Sequence, residues 1–149
     1  MWDQIPVSAR AAILSKPTLS QAYEALGSQM QVWGEPGVTA AGKACLVASD
    51  QFNSAGRRMA GWVGREWSEK QLAGRVTAQR LDQVYSAYSA SEKADMKRAM
   101  EAREAQNNPY FMRFFQTLGI QPSDTQAYAA AVSYLIARVS EDADIVAGR

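Results

Sequence analysis

Apolar residues recur along this chain at intervals of three and four, and no β-branched run alternates with polar residues as a half-buried strand would. Leu19, Ala22, Tyr23, Leu26, Met30 and Trp33 fall on one such stripe, and Leu81, Val84, Tyr85 and Tyr88 on another. Phe111, Phe114, Phe115 and Leu118 form a third, and Tyr128, Ala131, Val132, Leu135 and Val139 a fourth. Residues spaced this way share one face of a helix. The pattern predicts an all-α protein: one compact domain over residues 1–149, built from about six to seven helices joined by short loops.

Polar punctuation marks where each helix begins and ends. Ser8 is placed to cap a first helix running to Ser15, which must stop before Pro17 because the residue ahead of a proline avoids helical geometry. Thr18 with Gln21, Ser68 with Gln71, Ser89 with Glu92 and Ser123 with Gln126 all have capping-box spacing. Thr77 is a further cap ahead of the Leu81 stripe, and Gly34-Glu35-Pro36-Gly37 reads as a turn. Asn108 precedes Pro109 at a first helical position, and Gly119 suits a left-handed stop with Ile120 folding back over Phe115. The charged stretch from Glu92 to Glu104 offers little apolar surface beyond Ala94, Met96 and Met100. A long helix is expected from Thr39 to about Val63, where Gly61 and Gly64 weaken it.

That long segment carries a seven-residue beat of small pairs: Ala41-Gly42, Ala48-Ser49 and Ala55-Gly56. On a helix, Ala41, Cys45, Ala48, Phe52, Ala55, Met59 and Trp62 advance by four and three in turn, which is a heptad seam. Gly42, Ser49 and Gly56 widen its small surface. Small side chains let a second backbone come nearer than the usual 8–10 Å, so the seam predicts a close helix–helix contact. The second helix can belong to the same chain or to another. Packing inside a membrane is disfavoured by Lys43, Asp50, Arg57 and Arg58, and Cys45 reads as a small buried hydrophobe.

Composition narrows the chemistry. Histidine is absent, which removes Ser-His-Asp and Cys-His nucleophilic arrangements and the usual zinc sites. A single cysteine excludes an internal disulfide. No phosphate-binding glycine loop is present. Glu66 and Glu69 could in principle serve a carboxylate-only hydrolase, but Arg65 and Lys70 beside them read as a solvated helix surface. No catalytic residue, metal, cofactor or small-molecule substrate is therefore expected. The opening Met1-Trp2-Asp3-Gln4-Ile5-Pro6 is unlike a signal peptide, and no transmembrane run is present, so the cytoplasm is the expected location.

Two binding readings remain. The favoured one is a non-enzymatic protein–protein interaction or assembly module. It would self-associate or dock on a larger complex through Ala41, Gly42, Ala48, Ser49, Phe52, Ala55, Gly56 and Met59. In composition the chain is similar to small Ala- and Gln-rich subunits of virus particles and to phage-encoded inhibitors, which would place it in a host cytoplasm or a virion. The alternative is a nucleic-acid-binding regulator. Its cations would be Arg57, Arg58, Arg65, Lys70, Arg75 and Arg80, interleaved with Trp62 and Trp67 for stacking. Near-neutral net charge of +1 weighs against it.

The seam is testable by overpacking. Leucine at Ala48 or Ala55 should cost about 1–3 kcal/mol per site if two backbones meet there. Mass and melting measured for Ala48→Leu, Ala55→Leu and Lys43→Ala separate the cases. A lowered Tm with unchanged mass means an intramolecular seam, and loss of an oligomer means an intermolecular one. Wild-type behaviour of both leucine variants would mean that no seam exists.

Overall fold

A computed structural model describes residue 2, residues 5–29 and residues 52–146 of the protein, with side chains from 59 onward in the second block and up to 142. Among these residues every regular element is helical. In chain order they are α1 (Val7–Leu14), α2 (19–29), α3 (Phe52–Leu72), α4 (Ala78–Ser86) and α5 (Ala90–Glu101). A 3-10 turn (Ala105–Asn107) then leads to α6 (Pro109–Leu118) and α7 (Thr125–Val146).

Several expected caps are in place. The Thr77 hydroxyl accepts the Arg80 N–H at 3.2 Å and opens α4. At α5 both halves of the box form: Ser89 Oγ accepts the Glu92 N–H at 3.3 Å, and the Glu92 carboxylate accepts the Ser89 N–H at 2.8 Å. Asn108 Oδ1 accepts the N–H groups of Tyr110 and Phe111, with Pro109 occupying the position whose N–H needs no partner. Gly119 stops α6 at φ 69°, and the Ile120 N–H returns to Phe115 O at 2.9 Å. Thr18 accepts the Gln21 N–H at 3.3 Å ahead of α2. The end of α5 was not foreseen: Arg103, with φ 59°, occupies the left-handed position, and the Glu104 N–H bonds Ala99 O.

Three expected boundaries differ. Helix α1 starts at Val7 with Pro6 as cap and no side-chain bond, leaving Ser8 exposed inside it. The residue capping α7 is Asp124, whose Oδ1 accepts the Ala127 N–H at 3.2 Å, one position after Ser123. No helix opens at Ser68. Instead α3 continues through Gly61 and Gly64 to Leu72, and Ser68, fully buried, donates its hydroxyl to Gly64 O at 2.7 Å. A serine can satisfy itself this way mid-helix, so the same residue type serves as cap or as core. The Gly34–Gly37 turn and the helix start at Thr39 lie outside the described residues.

Among the described residues the α3–α7 pair is the most extensive helix contact. Helix α3 buries two sides. One carries Met59, Val63 and Trp67, and the Trp67 indole N–H donates to Lys16 O at 2.8 Å in the α1–α2 corner. The other carries Gly61, Gly64, Ser68 and Leu72, and α7 contributes buried Ala127, Ala130, Ala131 and Ala137. Trp2, Ile5, Ile13, Ala22 and Leu26 extend the core towards α1 and α2, and α4 and α6 supply much of the rest. Phe114 stacks on Tyr134 with centroids 6.0 Å apart and planes 10° apart, and Phe115 meets Tyr128 at 4.5 Å. Leu81, Val84, Tyr85 and Tyr88 of the α4 stripe are all buried, as is Met96 of α5.

Gly61 and Gly64 should respond oppositely to alanine. A Cβ on Gly61 would meet only Glu141 Cγ at 3.7 Å, an ordinary contact, so Gly61→Ala should gain the helix-propensity difference of about 0.5–1 kcal/mol. A Cβ on Gly64 would lie 2.9 Å from the Tyr23 hydroxyl, itself anchored by donating to Ala60 O at 3.2 Å. Gly64→Ala should therefore destabilise by about 1–3 kcal/mol. Adding Tyr23→Phe, which removes the clashing oxygen, should recover most of that loss. Thermal melts of the three variants check the argument, and a stabilising Gly64→Ala would refute it.

Candidate functional site

The seam divides at the boundary of what is described. Ala41, Gly42, Cys45, Ala48 and Ser49 lie outside the described residues. Phe52, Ala55 and Gly56, with Arg57 and Arg58, belong to the first turns of α3, and their side chains lie outside the described set. Met59 is buried at 4 % exposure, while Trp62, the next seam position, is 39 % exposed. Continued by the same steps, the line reaches Glu66 and Glu69, both half-buried. The line thus leaves the core after Met59 and emerges at Trp62. The close small-residue contact within the chain uses another face of α3, two residues further round at Gly61 and Gly64.

The two tryptophans of the basic segment part company. Trp67 is buried; Trp62 carries the Arg65 guanidinium 6.0 Å above its ring at the surface. The cations part as well. Arg65 bridges Glu69 and Glu141, each at 3.6 Å, and Arg75 is ion-paired with Asp124. Lys70 and Arg80 are exposed. Among the described side chains, positive charge in this region is therefore interrupted by carboxylates and forms no continuous stripe.

Arg65 is one edge of a larger polar network joining α3, α4, α5 and α7. Arg138 lies between Asp82 (3.5 Å) and Glu141 (3.0 Å), and the Tyr134 hydroxyl donates to Asp82 at 2.7 Å. Tyr85 donates to Asp142 at 2.9 Å, and Lys93 reaches the same carboxylate at 3.2 Å. The Tyr85 ring also lies between two cations, Lys93 at 4.4 Å and Arg138 at 5.1 Å. Burial, then the hydrogen bonds to Asp142 and Asp82, push both phenols far above their ordinary range, so each remains a hydrogen-bond donor. Burial also raises Glu69, and Arg65 only partly offsets it. Every carboxylate here has a cation or phenol beside it, so the cluster braces the helices together. Glu69, the second half of the Glu66/Glu69 pair, is held by Arg65 within this brace.

A second cluster forms where α4, α5 and α6 meet. The Arg113 guanidinium sits 4.4 Å from the Tyr88 ring and 5.3 Å from Tyr110, and donates to Glu92 Oε1 at 2.7 Å. Tyr88 in turn donates to Tyr110 O at 3.0 Å. The Ser89 N–H and Arg113 together hold the Glu92 carboxyl below its usual range. Beside Arg113 runs an open groove of about 430 Å³ whose walls include Arg80, Val84, Ala87, Tyr88 and Glu92. Arg113 was not legible in the sequence because Glu92 and Tyr88 lie 21 and 25 residues away; the local signs were Tyr110 three residues before it and its place as a lone cation within the aromatic stripe of α6.

Among the described residues no helix is long and apolar enough to cross a membrane, and no group of three or more His, Cys, Asp or Glu side chains could hold a metal ion. The chain matches no family model, no curated protein and no solved structure.

The raised pKa of Glu69 carries a sign that can be checked. A group whose folded pKa lies above its unfolded value favours the fold below the unfolded pKa, and that favour is lost as pH rises through the folded value. Ionised Glu69 is thus a net cost at neutral pH. Glu69→Gln should hold or raise Tm at pH 7, with the gap to wild type narrowing towards about pH 4 as the carboxylate protonates. A lower Tm for Glu69→Gln at pH 7 would mean that the Arg65 pair outweighs burial.

Proposed function

We propose that this protein acts by binding another protein, as a non-enzymatic assembly or docking module. The observation that carries the reading is Trp62, left 39 % exposed at the end of the small-residue line while Met59 before it is buried. Tryptophan supplies a large, rigid contact surface, and half-exposed tryptophans are enriched among residues that dominate protein interfaces. Arg65 over its ring adds a polar rim of the kind interfaces use. By analogy of composition such a module would be a subunit of a virus particle or an inhibitor docked on a larger complex, in a host cytoplasm or a virion.

The pairing of Arg65 with Glu69 and Glu141, and of Arg75 with Asp124, favours this reading over nucleic-acid binding. A polyanion would have to displace those carboxylates before it could use either guanidinium. DNA or RNA binding at submicromolar affinity and physiological salt, weakened by added salt, would reverse that preference.

Trp62→Ala is the direct test. Light scattering and sedimentation would report the mass of the protein alone, and co-purification from the native source would supply any foreign partner. The expected result is a variant that melts like wild type and loses the oligomer or the partner. A variant that keeps both, or that simply unfolds, would make Trp62 a structural residue and remove the reading's main support.

A further inference from the structure

The groove beside Arg113 has features that the helix packing does not require. Arg113 is immobilised: two tyrosine rings lie against its guanidinium, and Glu92, itself fixed by the Ser89 N–H, takes one of its donors. Its side chain nevertheless remains 49 % exposed, so further N–H donors face solvent. Across the groove, Arg80 is exposed and has no carboxylate partner among the described residues. A guanidinium held in place loses little freedom when it meets a carboxylate, and its planar fork matches the two oxygens.

The charge count selects the ligand. Glu92 is spent on Arg113 and Ser89, so the groove retains one uncompensated cation, Arg80. One positive charge beside a fixed carboxylate suits a single acidic side chain and disfavours a run of phosphates, which Glu92 would repel. The lining also includes Ala87, which is exposed, and the edges of Val84 and Tyr88, which are otherwise buried, so a small apolar patch lies in the groove for a neighbour of that acid. The groove, about 430 Å³, is open to solvent, which suits the edge of a docked protein segment better than an enclosed small molecule.

We propose that the groove between α4 and α6 docks a partner protein's segment through one Asp or Glu carboxylate, received by Arg80 and Arg113, with an adjacent apolar residue on Val84 and Ala87. The proposal concerns elements other than the Trp62 strip and stands or falls without it.

A library of short random peptides, selected on the full chain, tests this. Enriched peptides should share an acidic residue next to an apolar one. Their affinity, measured by calorimetry, should fall about tenfold or more for Arg80→Glu and stay unchanged for Lys70→Glu. The Arg80 side chain makes no hydrogen bond or ion pair among the described residues, and its bonds to Thr77 run through the backbone N–H, which glutamate keeps. That variant should therefore fold, as its melting curve will show; Arg113→Gln, checked in the same way, tests the second arginine. Failure to enrich any peptide, enrichment without an acidic residue, or equal affinity for wild type and Arg80→Glu would overturn the proposal. So would a short DNA duplex that binds at physiological salt, displaces the peptide and is lost with Arg80→Glu, since the groove would then be a phosphate site.

Discussion

The nearness of two backbones governs this molecule. Helices α3 and α7 are its longest described elements, and their contact passes through Gly64 on one side and Ala137 on the other. A Cβ at Gly64 would still meet Ala137 Cβ at an ordinary 3.5 Å, so it takes a side chain larger than alanine at either place to hold the helices apart. Tyr23 fills the remaining space at Gly64, so α2 is positioned by the same absent side chain that positions α7. The stacked Phe114–Tyr134 pair depends on α7 in turn, because Tyr134 projects from it into the α6 stripe. One glycine therefore sets the placement of three neighbours.

Polar groups complete what the small residues begin. Where α7 draws close to α3 and α4, Arg138, Glu141, Asp82, Arg65 and Tyr134 are carried partly out of water, and each must find a partner there. Such a network adds little net stability against an apolar alternative, since desolvation consumes much of the attraction. What it adds is a penalty on misregister: sliding α7 by one turn would strand buried charge. Close packing and charge pairing thus constrain the same interface in different ways, one by volume and one by partner identity.

What the sequence disclosed about the fold was local. Thr77, Ser89 with Glu92, Asn108 with Pro109, and Gly119 act within a single turn, so their spacing is sufficient to read them. The stripes of α4, α6 and α7 were equally legible because helical periodicity is a property of the element alone; in the first stripe Tyr23 is exposed, and Met30 and Trp33 lie outside the described residues. Ser68 and Gly64 were misread for the converse reason. Their role depends on how closely α7 approaches, and nothing nearby in the chain encodes that distance. Of the candidate site, the exposure of Trp62 and burial of Trp67 could not be told apart, since both sit in the same basic context five residues apart. The Arg113 cluster was invisible because Tyr88 comes from the connection between α4 and α5, Glu92 from α5 and Arg113 from α6.

The corner between α1 and α2 is fastened to α3 by an acceptor that belongs to no side chain. Trp67 donates its indole N–H to the backbone carbonyl of Lys16, and the Gln71 amide reaches the same oxygen at 3.4 Å. The attachment therefore reads the path of the chain and is blind to the residue type at that position, whose own side chain is exposed. Tolerance to substitution is lopsided across this joint. Position 16 can drift in identity at little cost so long as the turn before Pro17 keeps its shape, whereas position 67 admits almost no other residue, since only an indole joins that bulk to a donor at that reach.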